Sequence, residues 1–425
     1  MRVSAHNGSA QVSGIAGNAL YPALYMAFMF ALPPKALGTQ LYAGLLVGAS
    51  LVYFLAYTEQ IIRQARHWAY LSIALLVALQ VLISYLNISG VEGRLFDADK
   101  IITQSAGMMI FLIVMPNFMH AASAVFLPGI AASRAMLIAV SISASIILWQ
   151  QNENIFADYG LYGAQSAGLM LQLLYFLLVL RAPNPVAQAL LLLAAMPLLN
   201  AGTNIVIQLA LVLLVLSRHY SLAIGLLGAL MAVITFVIAY PPDWVAALLA
   251  SDPNAMVRSQ MWRNALATIA ERPLGIGYGT AWSNEQALKE AALMNAYSRD
   301  SDRALEVANH SSFVDITLRL GWLGLGLFIA LIASFWRSAA QSPWSLPAAG
   351  ILTIALVAAT LNPMLESGRA ALIMAFALAY LRAAGLGSTP LPDQEVIGDA
   401  AARGGQNATL SPRERRKQLA MLDHG

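Results

Sequence analysis

The run LAIGLLGALMAVITFVIA occupies residues 222–239 and contains no charged side chain. A helix on the surface of a soluble domain shows a polar face once per turn, and this run shows none. A helix needs about 20 apolar residues to cross the hydrocarbon core of a bilayer. The run therefore predicts a membrane-spanning helix, and the apolar run at 71–81 predicts another.

The rest of the chain has the composition of a membrane protein. Hydrophobic residues make up 59% of its 425 positions and charged residues only 11%, whereas a soluble domain carries about 25% charged residues. Its apolar runs predict about twelve spans. The first is expected to be a retained helix, because it is longer than the core of a signal peptide. The candidate spans lie near residues 14–32, 36–57, 68–88, 101–118, 135–149, 166–180, 185–200, 203–216, 221–240, 311–336, 345–361 and 369–384.

The charges of the short loops predict the orientation. Basic residues such as Arg63, Arg134 and Arg181 fall in alternate loops, and the loops between them are richer in Asp and Glu. The positive-inside rule then places both termini in the cytoplasm and the one long connection in the periplasm. The expected fold is an all-α polytopic protein of the bacterial inner membrane. Its expected parts are an N-terminal transmembrane bundle of about nine helices (1–240), a periplasmic loop subdomain (241–310), about three C-terminal transmembrane helices (311–385) and a disordered basic cytoplasmic tail (386–425).

Several kinds of site are not expected. The chain has no cysteine, which excludes disulfides, thiol catalysis and cysteine metal sites. The basic residues at 413–417 indicate an anchor beside anionic membrane lipid in preference to a nucleic-acid site. Asp97-Ala98-Asp99 resembles a motif that holds a metal and a nucleotide sugar, but its predicted position is periplasmic, where nucleotide sugars are absent. No metal, cofactor or nucleic-acid partner is therefore expected.

The long loop holds the residues that could carry chemistry. Apolar positions predict an amphipathic helix near 254–270. Arg258 and Trp262 lie one turn apart on one face of it, and Arg263 follows. A guanidinium can grip two phosphate oxygens at once, so these arginines suit a lipid-linked diphosphate. The alternative is that they only meet lipid head groups or pair with nearby carboxylates.

Two further features follow this helix. The run Gly275-Ile-Gly277-Tyr-Gly279 could bring unhindered backbone N–H groups to an anion, although an ordinary loop is the alternative. His310 lies where the loop re-enters the membrane. Its imidazole could accept a proton from a sugar hydroxyl or hydrogen-bond a phosphate, although histidines at such boundaries also serve as simple anchors.

A charged residue inside the next helix also needs an explanation. Arg319 costs about +2.5 to +3.5 kcal/mol at the centre of a membrane helix. Asp315 lies four residues earlier and can pair with it, and a substrate role is the alternative. Gly321, Gly324 and Gly326 are expected to allow close helix packing.

In this order, the segments resemble the O-antigen ligase and polymerase superfamily, which includes exopolysaccharide polymerases and protein O-oligosaccharyltransferases. The arrangement of nine helices, a large periplasmic loop and about three more helices is also similar. The motif residues read Arg258…Trp262…Pro273-Leu-Gly275-Ile-Gly277-Tyr-Gly279, then Asn309-His310-Ser-Ser-Phe…Leu320-Gly321-Trp-Leu-Gly324.

The resemblance implies a role for each matching residue. Arg258 would bind the donor diphosphate, and His310 would assist the acceptor or the leaving group. Trp262 and the three glycines of the run would shape the pocket.

This chain departs from the family pattern at two positions. Asn204 stands where many members carry a second arginine, and Arg319 stands where many carry a glutamate. Arg319, Arg263 or Arg369 could supply the missing positive charge.

The expected function is metal-independent glycosyl transfer or polymerisation in surface polysaccharide synthesis. The donor would be a glycan on a polyprenyl diphosphate, and the acceptor a glycan or lipid A-core. The alternatives within the family are an O-antigen ligase and a protein O-oligosaccharyltransferase. A membrane transporter or lipid flippase is the alternative of another class, although the two related halves typical of such carriers are not visible. A membrane scaffold without chemistry is the last alternative.

Overall fold

The structure is a computed structural model that describes residues 20–30, 32, 39–86, 96–126, 169, 172–173, 175–196, 202–217, 219–249, 253–281, 311–362, 364–365 and 368–386. The expected span near 135–149, the last part of the long loop with His310, and the tail after Leu386 lie outside these residues.

Within the described residues the regular structure is helical. Its one β-type contact is an isolated bridge between Phe96 and Thr280. The helices are α1 (Leu20–Phe30), α2 (Thr39–Ala56), α3 (Thr58–Ala65), α4 (Trp68–Tyr85), α5 (Lys100–Phe126), α6 (Pro185–Ala195), α7 (Gly202–Leu216), α8 (Tyr220–Ala239), α9 (Asp243–Leu249), α10 (Pro253–Glu271), α11 (Ser312–Ala339), α12 (Ser345–Leu361) and α13 (Gly368–Leu386).

Four of these helices, α4, α5, α8 and α11, are long and apolar enough to cross a membrane. The pair α2 and α3 would make a fifth span if both belong to one, and this pair is bent by 103°. The apolar helices α1, α6, α7 and α12 are shorter, as is the segment Ala370–Leu386 of α13. Large apolar side chains are exposed on the helix surfaces, for example Leu75 at 72% and Phe236 at 61%. These features indicate a membrane protein. The described residues contain four or five candidate spans, and the total of about twelve for the whole chain stays a prediction.

Helices α5 and α13 form the centre of the bundle and pack against each other along their length. Small side chains on α13, including Ala371, Ala375 and Ala379, are fully buried and let the two backbones approach closely. Next to Pro116 inside α5, the buried Asn117 donates from Nδ2 to the carbonyl oxygen of Ser50 on α2 at 2.8 Å. The packed centre fixes the ends of α4, α5 and α11, which carry the candidate site.

Helix α11 is broken at Gly321, whose φ of 71° and ψ of −175° lie outside the helical region. The sequence predicts that this glycine supports helix packing, and that prediction is wrong in its geometry. A neighbouring helix was expected at Gly321, but the turn after α10 lies there instead. A Cβ built on Gly321 would lie 2.4 Å from the carbonyl oxygen of Pro273 in this turn. Among the described residues, Gly326 has no neighbour within 4 Å of a Cβ built on it, so close packing at this position is not seen within this part of the chain.

Candidate functional site

Helix α10 is the amphipathic helix that its apolar spacing predicts. Trp262, Ala265 and Ile269 form a buried stripe along it, each at most 1% exposed. The stripe packs against Val314 and Leu318 of α11 in a small apolar cluster. This cluster is separate from the main core. Since it contains residues of both helices, it holds α10 against the first half of α11.

The structure separates the two arginines of α10. Arg258 lies one turn before Trp262 on the same side of the helix and is half-buried. Arg263 lies on the exposed face, and its Nε donates to the carbonyl oxygen of Ala239 at 3.0 Å. Arg263 therefore closes the C-terminal end of α8, where carbonyl groups need donors. Of the two, Arg258 is the one on the packed side of α10.

The direction of α10 relative to α11 follows from the turn after α10. The N–H of Trp322 donates to the carbonyl oxygen of Pro273 at 3.0 Å, so the C-terminal end of α10 lies beside Gly321. Since the cluster also packs α10 along the start of α11, the two helices run in the same direction. The N-terminal part of α10, with Arg258, therefore lies toward the beginning of α11. At the beginning of α11, the side chain of the cap residue Ser311 accepts a hydrogen bond from the N–H of Val314. Ser311 directly follows His310 in the sequence.

The glycine run 275–279 takes a backbone path that requires its glycines. Gly275, Gly277 and Gly279 have φ values of 88°, 70° and 78°, a region that other residues rarely adopt. The run also passes very close to α11, because a Cβ on Gly275 would lie 2.6 Å from the carbonyl oxygen of Arg319. Both requirements explain the alternating glycines.

The five N–H groups of residues 275–279 are all engaged by the protein itself. Their acceptors are the carbonyl oxygens of Arg272, Leu318 and Arg319, the Ser84 hydroxyl and Oε1 of Gln104, at 2.8 to 3.2 Å. The expectation that these N–H groups are available to an anion is therefore not met. Instead, the glycine run joins the ends of α4 and α5 to the break in α11.

Arg319 holds the same run from the other side. The side chain is 5% exposed, and its Nη1 donates to the carbonyl oxygens of Gly277 at 3.1 Å and Thr280 at 2.6 Å. Its Nε lies 3.7 Å from Oδ1 of Asp315, which confirms the expected ion pair. A buried guanidinium costs free energy unless it is paired and hydrogen-bonded. Here Nη1 makes two hydrogen bonds, whereas Nε is paired with Asp315 but has no hydrogen-bond partner among the described residues. The contacts with the glycine run were not expected from the sequence.

We predict that Arg319→Met destabilises the protein by about 2 to 5 kcal/mol, because two carbonyl oxygens and Asp315 lose their buried partner. The measurement is the thermal unfolding midpoint of the purified protein in detergent. Arg337→Met is the matched control, since Arg337 is exposed on the same helix. An Arg319→Met protein with an unchanged midpoint and lost activity would instead assign this arginine to the substrate.

We call the contacts that join the glycine run to the ends of α4 and α5 and to the break in α11 the junction. Two polar side chains that were not predicted as site residues belong to it. Ser84, near the end of α4, binds the N–H of Tyr278, and Gln104, near the start of α5, binds the N–H of Gly279. The sequence feature that could have identified Ser84 and Gln104 is their position in apolar helices, where polar residues usually have a specific partner. Asp97 is also part of this junction, because its N–H donates to the carbonyl oxygen of Gly279 at 2.9 Å.

A second group of polar residues lies beside the first turn of α11. The Ser312 hydroxyl accepts from the N–H of Leu365 at 2.9 Å. Asn362 is 4% exposed, and its Nδ2 donates to the Thr203 hydroxyl at 3.4 Å. Its buried Oδ1 has no hydrogen-bond partner among the described residues. These contacts bring the start of α7, including the half-buried Asn204, close to the start of α11.

The remaining candidates are placed only in part. The backbone of Arg369 lies at the start of α13, and its side chain is outside the described residues. His310 also lies outside them. The described residues contain no group of three or more His, Asp or Glu side chains that could hold a metal ion.

No family model matches the chain. Over 97 residues it is 30% identical to a protein of Rickettsia conorii with the name "Putative polysaccharide ligase", and over 97 residues it is 30% identical to a protein of Rickettsia felis with that name. Each match covers 23% of this chain, and the chain spans only 23% of the length of each relative. Over this part of its length, the chain is therefore similar to proteins named polysaccharide ligases.

Proposed function

We propose that this chain is an inner-membrane glycosyltransferase of the O-antigen ligase and polymerase type. It would transfer or polymerise glycan from a polyprenyl-diphosphate donor at the periplasmic face. The observation that carries the proposal is the place of Arg258. This arginine lies on the packed side of α10, toward the start of α11, where His310 precedes the cap residue Ser311. The partial similarity to proteins named polysaccharide ligases supports the same assignment.

In the proposed reaction a hydroxyl group of the acceptor attacks the anomeric carbon of the donor sugar. The bond between that carbon and the phosphate oxygen breaks, and the polyprenyl diphosphate leaves with the electron pair. His310 accepts the proton of the attacking hydroxyl. Arg258 binds the diphosphate oxygens and stabilises their developing charge, the kind of contact that contributes most to such reactions.

The other residues would support this pair. Trp262 packs α10 onto α11 and so sets where Arg258 lies. The glycine run and Arg319 fix the turn that connects these two helices. Arg319 already contacts three protein groups, so it contributes to the proposed site by holding this turn. The buried polar group around Asn362 lies beside the same helix start and would hold it in place.

Loss of the protein is expected to change the product ladder of the surface polysaccharide in the source bacterium. A polymerase adds repeat units to a growing chain. Its deletion therefore leaves single repeat units on the carrier lipid or on the final acceptor. The measurement is gel separation of the labelled glycan, with the wild-type gene returned as a control. Long chains stranded on the carrier lipid would assign the protein as a ligase.

A ladder of unchanged length and amount would contradict both forms of the proposal. The competing class, a carrier, is tested with the purified protein in vesicles. If labelled donor crossed the membrane without new glycosidic bonds, the chain would be a transporter or flippase.

A further inference from the structure

A cationic cluster lies at the end of the bundle opposite the glycine run. The ring of Phe335, near the end of α11, is 1% exposed and contacts two side chains. The His67 ring, just before α4, has its centroid 5.0 Å from that of Phe335. Cζ of Arg382, near the end of α13, lies 6.0 Å from the same centroid. We call these three residues the Phe335 cluster.

The charge of Arg382 is not balanced within the described residues. The guanidinium is half-buried, its Nε is buried without a hydrogen-bond partner, and no carboxylate of the described residues pairs with it. Among the described residues, its one attractive contact is with the ring of Phe335. A partly desolvated cation costs free energy unless an anion or hydrogen-bond acceptor accompanies it. An anion beside Arg382 would therefore stabilise this positive group.

His67 adds hydrogen-bonding capacity to the same place. Its Nδ1 is buried and has no hydrogen-bond partner in the part of the chain that the structure describes, and its side chain does not cap α4. Burial lowers the pKa of His67, and the positive charge of Arg382 lowers it further. The imidazole is therefore neutral at neutral pH and offers one N–H donor. The start of α4 contributes its first-turn N–H groups, whose dipoles also favour an anion.

The surroundings favour a lipid over a free ion. Trp68 and Leu71 follow His67 on α4 and are 59% and 51% exposed. An exposed tryptophan beside a charged group is typical of the membrane interface. Acyl chains could lie on this apolar surface while the head group reaches the Phe335 cluster. Arg66 is exposed next to His67 and adds positive charge, whereas Arg63 pairs with Glu59.

We propose that His67, Arg382 and the start of α4 bind the phosphate of an anionic membrane lipid. The phosphodiester would lie between the guanidinium and the imidazole, with its acyl chains along α4. The expected orientation puts this end of the bundle at the cytoplasmic leaflet, where basic pockets between helices bind anionic head groups. This proposal is independent of the proposed glycosyl transfer.

The test uses the full-length protein in detergent and native mass spectrometry with phosphatidylglycerol or phosphatidylcholine. Wild-type protein is expected to bind phosphatidylglycerol at least about 10-fold more tightly than phosphatidylcholine, and Arg382→Gln should remove most of this preference. His67→Phe, which keeps a ring at this position, should weaken it by about 3-fold or more. Arg181→Gln is the matched control, since this exposed arginine lies in another loop.

Three results would overturn the proposal. Wild-type protein could bind the two lipids equally, or Arg382→Gln and His67→Phe could keep the full preference. Alternatively, inorganic phosphate could compete as well as the lipid does, which would assign a site for the free ion. If Arg382→Gln fails to fold, then His67→Phe and Arg382→Lys, which keeps the charge, decide the question. Arg382→Lys should retain most of the preference.

Discussion

Replacing Arg258 with alanine is expected to lower the rate of glycan transfer by about 100-fold or more in a protein that still folds. The proposed guanidinium stabilises charge that develops on the departing diphosphate, and a methyl group cannot do so. Arg258→Lys should recover only part of the rate, because an ammonium group cannot grip two phosphate oxygens in a plane. The measurement is the formation of glycosidic bonds by purified protein from a polyprenyl-diphosphate donor.

Arg272→Gln provides the matched control for this prediction. Arg272 is exposed just after the other end of α10, and only its backbone contacts the glycine run. Its replacement removes the same charge and should leave the rate within about 2-fold of wild type. His310→Ala should lose activity as Arg258→Ala does. An Arg258→Ala protein with a normal unfolding midpoint and a normal rate would remove Arg258 from the site, whereas equal losses in Arg258→Ala and Arg272→Gln would show that only the net charge matters.

The second large effect is expected for stability. Gly321→Ala should destabilise the protein by about 3 kcal/mol or more, because two costs add. The φ and ψ of Gly321 belong to a region that is essentially restricted to glycine. In addition, the new Cβ would lie 2.4 Å from the carbonyl oxygen of Pro273 and 2.7 Å from Cα of Leu274, which are backbone atoms that cannot simply rotate away. The measurement is the thermal unfolding midpoint, together with the yield of folded protein.

Gly326→Ala is the matched control on the same helix. A Cβ on Gly326 meets none of the described residues within 4 Å, and alanine favours the helix over glycine by about 1 kcal/mol. Gly326→Ala should therefore keep or raise the unfolding midpoint. Equal midpoints for the two variants would show that the break at Gly321 contributes nothing to stability.

Local patterns in the sequence predicted the helices well. Uninterrupted apolar runs located α8, expected near 221–240 and observed as Tyr220–Ala239. Apolar spacing also located α10, expected near 254–270 and observed as Pro253–Glu271. The pair of Asp315 and Arg319 was predicted as well, because both residues lie on one helix. Each of these features depends on residues that are close together in the chain.

The junction could not be predicted in this way, because its contacts join distant parts of the chain. The sequence suggests that the glycine run offers its N–H groups to an anion or forms an ordinary loop. In the structure, two of these N–H groups bind side chains of α4 and α5, which lie far earlier in the sequence. Gly321 looked like a helix-packing residue, since nothing in its neighbours indicates that Pro273 approaches it. The same limit applies to Asn362, whose partner Thr203 belongs to another helix.

The hydrogen bonds of the glycine run also determine when this part of the protein can mature during synthesis. Arg319 lies 42 positions after Gly277, whose carbonyl oxygen it binds. A ribosome adds about 5 to 20 residues each second, so the run emerges some seconds before its last partners exist. Ser84 and Gln104 are made earlier and can engage the run at once. The turn that aligns α10 with α11 is therefore completed only after Arg319 of α11 has been made, and a nascent protein that stops before α11 would lack this turn.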